Sequence, residues 1–403
     1  MKIVVIGGGA AGMAAAIEAA RHGAKVELLE RMDRVGKKLL ATGNGRCNLM
    51  NTGAPCYPGG ESFACAVLAK CGANEQTAFW HEVGLRLREE DGGRVYPASG
   101  QASTVLEALK LAMDNAGVKV RTGVTVQDIK PQKQGFTVVT DEGVWHYDKV
   151  ILAGGGCAQP KLGSDGSLWP VMEQLGHTLV EPRPALTQIV TDTRYTKGLS
   201  GIRVKADVAV MKDGMTLHEE TGEVLFTDYG ISGVCVMQCA RFAEKGSAIC
   251  VRLLRGMGFD SRIQAENEFL RRRAAWNNQP MEQLMTGLCM PKLAGCLCME
   301  AGIRFRDRLI GSLTEEEANR LAGVLENFTL RVEGIKGFES AQVTAGGLDV
   351  RDFDPQTMES KLVPGLYAAG EMLDVDGTCG GFNLMFAFGS GLIAGGACVE
   401  EKA

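Results

Sequence analysis

The fold is decided by residues 1–30, which run MKIVVIGGGAAGMAAAIEAARHGAKVELLE. The apolar residues 3–6 are all β-branched, which predicts a buried parallel strand. They lead into Gly7-Gly8-Gly9-Ala10-Ala11-Gly12, a G-x-G-x-x-G sequence, and then into an Ala-rich helix pattern that stops at Gly23. A second strand over 25–30 ends in an acid, Glu30. Strand, glycine turn, helix, strand and acid follow one another in the order of a Rossmann βαβ unit.

Each glycine of the turn has a mechanical role in such a unit. The first permits a tight turn, the second lets the backbone approach a pyrophosphate, and the third lets helix and strand pack closely. The helix start offers N–H groups to phosphates, and Glu30 lies 18 residues after Gly12, where an acid binds the adenosine ribose. The residues that we expect to bind an adenine dinucleotide are Gly7, Gly9, Ala10, Ala11, Gly12 and Glu30. The alternative is a glycine-rich turn in an ordinary βαβ unit.

Composition places the chain among ordinary globular proteins. With 403 residues, two or three domains are expected, and the net charge of -5 argues against nucleic-acid binding. No apolar run is long enough to span a bilayer, and Gly7 interrupts the only apolar stretch near Met1, so no signal peptide is expected. The 13 cysteines form no C-x-x-C, which indicates reduced thiols, a cytoplasmic location and no metal site. The sequence does not determine the oligomeric state.

Residues 31–48 are basic and rich in glycine and asparagine, with little helix or strand pattern. Because they follow the ribose acid directly, we expect them to run along the dinucleotide, with the basic side chains neutralising phosphates. The alternative is a solvated surface loop. The residues of this segment that we assign to the cofactor are Arg31, Lys37, Lys38, Thr42, Gly43, Asn44, Arg46, Cys47 and Asn48.

The next part of the chain mixes helices and short strands. Helices are predicted over 62–71, 74–83 and 104–116, and a turn over 92–97. Four alternating runs predict a small antiparallel sheet: 118–121, 125–129, 136–140 and 144–147. A buried strand over 149–153 ends in three glycines, which indicates backbone close to a ligand. From this region we assign to the cofactor Val124, Ala153, Gly154 and Gly155.

From about residue 187 the pattern changes, and 187–340 is interpreted as an insertion. Strands are predicted over 187–191, 202–211, 223–227, 247–253 and 328–332, and helices over 262–276, 281–288, 292–301 and 314–326. The predicted domains are a discontinuous cofactor domain over 1–186 and 341–403, a β-rich domain over 187–260 and 327–340, and a small helical domain over 261–326.

The C-terminal segment has a strand that runs into Gly370-Glu371 and an apolar helix predicted over 384–399. This resembles the way FAD enzymes of the glutathione-reductase type close their flavin site. The resemblance implies an α/β fold with a Rossmann-type FAD-binding domain. It also implies that the acid binds the ribityl chain or pyrophosphate and that the helix start faces the flavin, where a Cβ on Gly380 or Gly381 would crowd the ring. The residues assigned here are Gly370, Glu371, Asp374, Gly380, Gly381, Phe382, Asn383 and Leu384.

Six ordered motifs resemble one family, the aminoacetone-oxidase-like, BaiN-type flavoproteins. They are VGKKLL at 35–40, GRCN at 45–48, RVYP at 94–97, FT…GISG at 226–233, VTAGG at 343–347 and GEMLD at 370–374. Members with assigned activities include an aminoacetone oxidase and a reductase of unsaturated oxo bile acids. The resemblance implies FAD, and possible electron donation by NAD(P)H visiting the flavin transiently.

One motif departs from the family pattern. Members commonly have GGYNLQWAWSSG where this chain has GGFNLMFAFGSG at 380–391. The changes remove a phenol, an amide and two indole N–H groups, so we expect the polarity around the flavin and the substrate to differ.

The favoured function is a NAD(P)H-linked reductase of an unsaturated or oxo compound, such as an oxo bile acid. The alternatives are an oxygen-using amine oxidase and an electron carrier or redox sensor. Flavin carries the hard chemistry, so few protein groups are required. The catalytic candidates are Arg94, Tyr96, Cys47 and Cys379. For the first two a structural turn is the alternative, and for the two thiols inert packing is favoured.

Overall fold

A computed structural model of the chain describes residues 1–400. These residues form two compact units, Met1–Pro184 together with the segment from Ala341 onwards, and Ala185–Ser340. We call them the first and the second unit. Each has its own hydrophobic core, and no buried residue is shared between the two core clusters.

The elements are numbered along the chain. The strands are β1 Lys2–Ile6, β2 Lys25–Glu30, β3 Met50–Asn51, β4 Leu87–Glu90, β5 Arg94–Pro97, β6 Lys119–Thr122, β7 Val126–Pro131, β8 Phe136–Thr140, β9 Gly143–Tyr147, β10 Lys149–Leu152, β11 Leu179–Ala185, β12 Ile189–Thr191, β13 Arg203–Lys212, β14 Met215–Phe226, β15 Gly230–Ser232, β16 Ala248–Arg252, β17 Phe328–Ile335, β18 Val343–Leu348 and β19 Leu366–Ala368. The helices are α1 Ala10–Arg21, α2 Lys37–Ala41, α3 Glu61–Lys70, α4 Ala73–Glu82, α5 Ala102–Asn115, α6 Trp169–Gln174, α7 Thr193–Leu199, α8 Val234–Cys239, α9 Arg262–Ala275, α10 Pro291–Glu300, α11 Glu315–Glu326 and α12 Phe382–Ala397.

The first unit is built on a parallel sheet in the order β19-β10-β1-β2-β6. Strand β1 lies at its centre, and residues 3–6 are buried there, as their β-branched run predicts. One expectation for this sheet is wrong. The run 118–121 was predicted to join an antiparallel sheet, but β6 pairs in parallel with β2, with Glu27 opposite Lys119. The connection through α5 supplies the long crossover that a parallel pair needs.

Two small antiparallel sheets complete the strands around this core. Strands β7, β8 and β9 form one, and β3, β5 and β4 form the other. The predicted turn over 92–97 is therefore wrong over 94–97, which form strand β5, while 91–93 form a 3₁₀ turn. The segment 31–48 also contains more structure than its composition indicates, with α2 and a 3₁₀ turn over Thr42–Gly45.

Helix α12 begins and ends two residues before the predicted bounds of 384 and 399, and most of it is buried. It lies against α1 at a very short separation. A Cβ on Gly391 would stand 2.3 Å from the carbonyl oxygen of Ala11, and one on Gly395 would stand 2.5 Å from that of Ala15. These two glycines let the backbones of the helices touch.

The second unit contains a closed barrel of six strands in the order β12-β15-β14-β13-β16-β17. Helices α9, α10 and α11 belong to the same unit and contribute to its core. The finer division of this segment into a β-rich and a helical domain stays a prediction. The predicted helix over 281–288 is wrong, because only Met281–Gln283 forms a 3₁₀ turn and Gly287 adopts a left-handed conformation. Among residues 1–400, no helix is long and apolar enough to cross a membrane.

Candidate cofactor and active site

The glycines of the turn after β1 are required for two different reasons. A Cβ on Gly7 would lie 2.3 Å from the carbonyl oxygen of Ala153, and one on Gly12 would lie 1.9 Å from that of Gly7, so protein packing requires both. A Cβ on Gly9 would meet no atom within 4 Å, and its φ of -82° suits any residue. No side chain caps the start of α1. The open space beside Gly9 and the uncapped N–H groups are what a pyrophosphate needs.

Glu30 is held at the tip of β2 by the backbone around it. Its Oε2 accepts the N–H of Gly8 at 2.7 Å, and its Oε1 accepts the N–H of Met32 at 2.7 Å. A carboxylate has about four acceptor positions, so each oxygen keeps one for a ribose hydroxyl. Val124 donates its N–H to the Glu30 carbonyl oxygen at 3.1 Å, which brings this predicted residue to the same strand end. The neighbouring Arg31 instead pairs with Asp165 and bonds the Gly163 carbonyl.

Two predicted cofactor residues far apart in sequence meet in a half-buried ion pair. Lys38 on α2 contacts Glu371 with 2.6 Å between Nζ and Oε2. The other carboxylate oxygen of Glu371 accepts the N–H of Thr344 at 2.9 Å. Lys37 has a separate partner, Asp33, at 2.5 Å. The pair joins α2 to the 3₁₀ turn Gly370–Met372 that follows β19.

The segment 42–48 adopts left-handed conformations at several positions. Gly43 has a φ of 56°, Asn44 of 54° and Cys47 of 59°. Within the same segment Thr42 donates its hydroxyl to the Leu39 carbonyl at 2.7 Å. Left-handed backbone at Cys47 is unusual for a side chain with a Cβ and persists only where the surroundings impose it.

Arg46 and Tyr96 form a stack at the surface of this segment. The guanidinium carbon lies 4.1 Å from the centre of the tyrosine ring, and Arg46 also pairs with Glu90 at 2.5 Å. Both the charge and the flat face of Arg46 are therefore engaged. Arg94, on the same strand as Tyr96, is exposed and forms no ion pair with any residue in the described part of the chain.

The glycines after β10 line the other side of the turn. Ala153 contacts Gly7 through its carbonyl oxygen. A Cβ on Gly154 would lie 2.5 Å from Cδ1 of Leu168, and Gly155 has a φ of 78° with the Ser164 hydroxyl 2.7 Å from its Cβ position. Protein packing accounts for the absence of side chains at both positions. The structure therefore places the predicted Ala153, Gly154 and Gly155 beside the glycine turn.

Two side chains that the sequence analysis did not select hold the start of α12, and a third joins the middle of the helix to Gly370. Asn51 donates to the Gly380 carbonyl at 2.8 Å, and Tyr57 donates its hydroxyl to the Phe382 carbonyl at 2.8 Å. Ser390 accepts the Gly370 N–H at 3.0 Å. A Cβ on Gly381 would lie 2.5 Å from the carbonyl oxygen of Met50, and the φ of Gly381 is 107°. The requirement for glycine there comes from protein backbone, a reason different from the expected crowding of a flavin ring.

The three remaining cofactor residues predicted in this region, Asp374, Asn383 and Leu384, have different surroundings. Asn383 accepts the Gly377 N–H and donates to the Gly377 carbonyl, each at 2.8 Å, so its amide braces the preceding loop. Asp374 accepts the Gly346 N–H at 3.0 Å. Leu384 is only partly buried and shares the more accessible face of α12 with Asn383.

The residues that depart from the family pattern lie on the opposite, buried face. Phe388 is fully buried and packs edge-on against Trp80, with 4.7 Å between the ring centres. Phe382 and Phe386 pack edge-on against Tyr57. The lost polar groups therefore belong to core positions of the first unit.

Neither candidate thiol is a ready nucleophile. Burial raises the pKa of the Cys47 thiol to about 12. Burial also raises the pKa of Cys379, and the nearby positive charge of Arg94 offsets only part of that rise. A thiolate is the reactive form of cysteine, so both groups stay protonated and unreactive near neutral pH. All 13 cysteines are free, and no group of three or more His, Cys, Asp or Glu side chains within residues 1–400 could hold a metal ion.

The fold and the site define the class of protein. A Rossmann unit with an accessible glycine turn, an acid at the tip of its second strand and a C-terminal helix returning to that turn is the framework of an FAD-dependent oxidoreductase. The chain belongs to the HI0933-like family, because the family model described as "HI0933-like protein Rossmann domain" matches residues 1–397. The family and the fold class predicted from the sequence are thereby confirmed.

Named relatives cover nearly the whole chain. A 3-dehydro-bile acid delta(4,6)-reductase of Clostridium scindens is 38% identical over 414 residues, which cover 99% of each chain. A ribosomal RNA dihydrouridine synthase of Haemophilus influenzae is 28% identical, with 96% of each chain covered. The solved 3-ketosteroid-delta4-(5alpha)-dehydrogenase of Rhodococcus jostii matches with a TM-score of 0.51 at 17% identity, over 99% of this chain and 96% of the other. This last similarity shows a shared fold.

Proposed function

We propose that this protein is a NAD(P)H-linked reductase of a carbon–carbon double bond conjugated with a carbonyl group, in a small carboxylate such as an oxo bile acid. The observation that carries the proposal is the 38% identity with the bile acid reductase over 99% of both chains. Bound FAD would supply hydride transfer to the double bond, a proton would complete the reduction, and NAD(P)H would restore the electrons.

The relatives named as dihydrouridine synthases support the same reaction class, although their substrate is different. Dihydrouridine differs from uridine by saturation of a ring double bond that is conjugated with a carbonyl. The names of both groups of relatives thus describe reduction of the same kind of bond. We favour a small molecule over RNA for this chain, because Asp and Glu number 48 against 43 Lys and Arg, while RNA binding relies on neutralising phosphates.

Arg94 is our candidate for binding the substrate carboxylate. It is exposed and lies opposite Asn51 in the pairing of β3 with β5. The amide of Asn51 bonds the carbonyls of Gly92 at 3.1 Å and Gly380 at 2.8 Å, so the strand carrying Arg94 is fixed beside the start of α12. An arginine with no protein partner can bind a carboxylate through two parallel hydrogen bonds.

Our remaining assignments follow from the same framework. The residues that we propose to hold FAD are those around the glycine turn, Glu30, the segment 42–48, the Gly154 region and the start of α12. Thirteen free cysteines support a reducing compartment, and we propose a cytoplasmic location.

The reaction is tested with the purified holoprotein under anaerobic conditions. NADH or NADPH should bleach the flavin, and a 3-oxo-4,6-diene bile acid should restore its colour with a product two mass units heavier per reduced bond. Bleaching by aminoacetone, with reoxidation only by oxygen, would establish the amine oxidase instead. Recovery of colour with a uridine-containing ribosomal RNA fragment alone would establish the dihydrouridine activity, and exchange only with another protein would establish a carrier.

The role of Arg94 is tested by comparing a substrate carboxylate with its methyl ester. Arg94→Gln should raise KM for the acid by roughly tenfold to a hundredfold, the value of a charged hydrogen-bonded pair, with little change in kcat. KM for the ester should be the same in both proteins. Arg88→Gln, on the neighbouring strand, is the control and should change neither KM. An equal rise for acid and ester in Arg94→Gln would exclude a carboxylate contact.

A further inference from the structure

The start of α12 presents donors without acceptors. The helix follows Gly380 and Gly381, whose φ angles are 140° and 107°, and no side chain caps it. Its first intrahelical hydrogen bond runs from the Met385 N–H to the Gly381 carbonyl at 3.0 Å. The N–H groups of the three residues before Met385 therefore point out of the helix without intrahelical partners.

Beside these donors lies an acceptor without a donor. Asn48 Oδ1 is buried and accepts no hydrogen bond from any residue between 1 and 400. It lies 2.9 Å from the position that a Cβ on Gly381 would occupy, so it is next to the backbone of the residue that precedes α12. A buried acceptor left without a donor costs stability, and native proteins rarely keep one without a role.

Two other amides near the helix start, Asn51 and Asn383, bond the protein through both their nitrogen and their oxygen. Asn51 bonds the carbonyls of Gly92 and Gly380 through Nδ2 and accepts the Gly53 N–H at 2.8 Å. Asn383 bonds Gly377 through both ends of its amide. Their hydrogen bonds fix the surrounding loops, whereas the acceptor of Asn48 is left for a ligand.

We infer that Asn48 recognises the imide edge of the flavin pyrimidine ring. That edge carries an N–H donor, N3–H, directly beside a carbonyl acceptor, C2=O. Asn48 Oδ1 accepts N3–H, while the N–H groups at the start of α12 face C2=O. The N–H donors of the helix start therefore match the C2=O acceptor of the flavin, and the Asn48 acceptor matches the N3–H donor. This inference rests on FAD as the cofactor and does not depend on which substrate is reduced.

The experiment compares FAD with 3-methyl-FAD, in which a methyl group replaces the hydrogen on N3 and so removes the donor. Each is titrated into full-length apoprotein of the wild type, Asn48→Ala and Asn48→Asp, and the dissociation constant is measured by flavin fluorescence. The wild type should prefer FAD by about tenfold, the value of one good hydrogen bond. Asn48→Ala should bind both equally, and Asn48→Asp, which keeps an acceptor oxygen, should retain the preference. An Asn48→Ala protein that still prefers FAD as strongly as the wild type overturns the inference.

A measurement on the wild-type holoprotein keeps the inference testable if the alanine variant does not fold. With FAD labelled with ¹⁵N at N3, the N3–H signal should be visible and protected from exchange with solvent. A freely exchanging N3–H in the bound flavin overturns the inference. Neither experiment involves turnover, so a failed search for the bile acid activity would leave both results interpretable.

Discussion

At the scale of single residues, Glu30 shows how folding fixes the orientation of a side chain that we propose binds the cofactor. Each of its carboxylate oxygens already accepts a backbone N–H at 2.7 Å. The side chain is therefore fixed in one orientation by folding, and its remaining acceptor positions face the same direction in every molecule. A ligand hydroxyl that bonds a preorganised carboxylate pays little of the entropy that a mobile side chain would cost.

Substitution of Glu30 should therefore affect cofactor affinity directly. We expect Glu30→Ala to weaken FAD binding by roughly 1.5–3 kcal/mol, the range for a hydrogen bond to a charged group. Titration of apoprotein with FAD measures the change. Glu173→Ala removes an exposed carboxylate on α6 and should leave the affinity unchanged. An unaltered dissociation constant in Glu30→Ala would remove Glu30 from the site.

Sequence spacing allowed Glu30 to be proposed as a cofactor residue, but it did not predict which residues contact one another in the fold. Glu30 could be selected because its distance from Gly12 is set by one βαβ unit. The contact of Lys38 with Glu371 joins residues 333 positions apart and depends on the folded chain. The same holds for Gly381, whose neighbour Met50 lies in another part of the sequence. Local sequence patterns do not indicate such contacts between distant parts of the chain.

At the scale of elements, the contact between α1 and α12 sets how closely the two ends of the chain meet. Gly391 and Gly395 remove the side chains that would separate the helices. Glycine is a poor helix former by about 1 kcal/mol relative to alanine, so its presence in a helix interior requires a packing reason. Here the reason is the carbonyl oxygens of α1, which the two glycines face directly.

The packing reason makes opposite predictions for two glycines of the same helix. Gly391→Ala should destabilise the protein by about 1–3 kcal/mol, the usual cost of overpacking, because its Cβ would lie 2.3 Å from a backbone oxygen. Gly396→Ala should be neutral or stabilising by up to about 1 kcal/mol, because the nearest atom to its Cβ is a side-chain carbon at 3.9 Å. Urea unfolding measures both. Equal effects in the two variants would contradict the packing account.

Some of the elements that the sequence analysis missed have a weak hydrophobic signal. Strand β14 was predicted only over 223–227 but begins at Met215, and most of its added residues are exposed or half-buried. Its pairing with β13 along the whole length supplies the stability that its own composition does not indicate. Strands β3 and β5 are short and gain their order from pairing with one another and with β4. In contrast, β1 and α12 were predicted because burial dominates their composition.

At the scale of the whole molecule, the chain leaves the first unit after β11 and returns just before β18. These two strands pair in a two-stranded sheet, so the chain departs and returns at neighbouring positions of the first unit. An insertion at such a point does not need to interrupt the core around it. The separate core clusters of the two units agree with this topology.

Two separately packed cores predict two unfolding transitions, of which FAD stabilises one. FAD at about 100 times its dissociation constant should add about 2.7 kcal/mol to the unit that binds it and nothing to the other. Differential scanning calorimetry of the apoprotein with and without FAD measures this. Gly391→Ala should lower the transition that FAD raises, and Phe269→Ala, which empties a fully buried position in the second core, should lower the other. A single transition that responds to FAD and to both substitutions would show that the two units unfold as one.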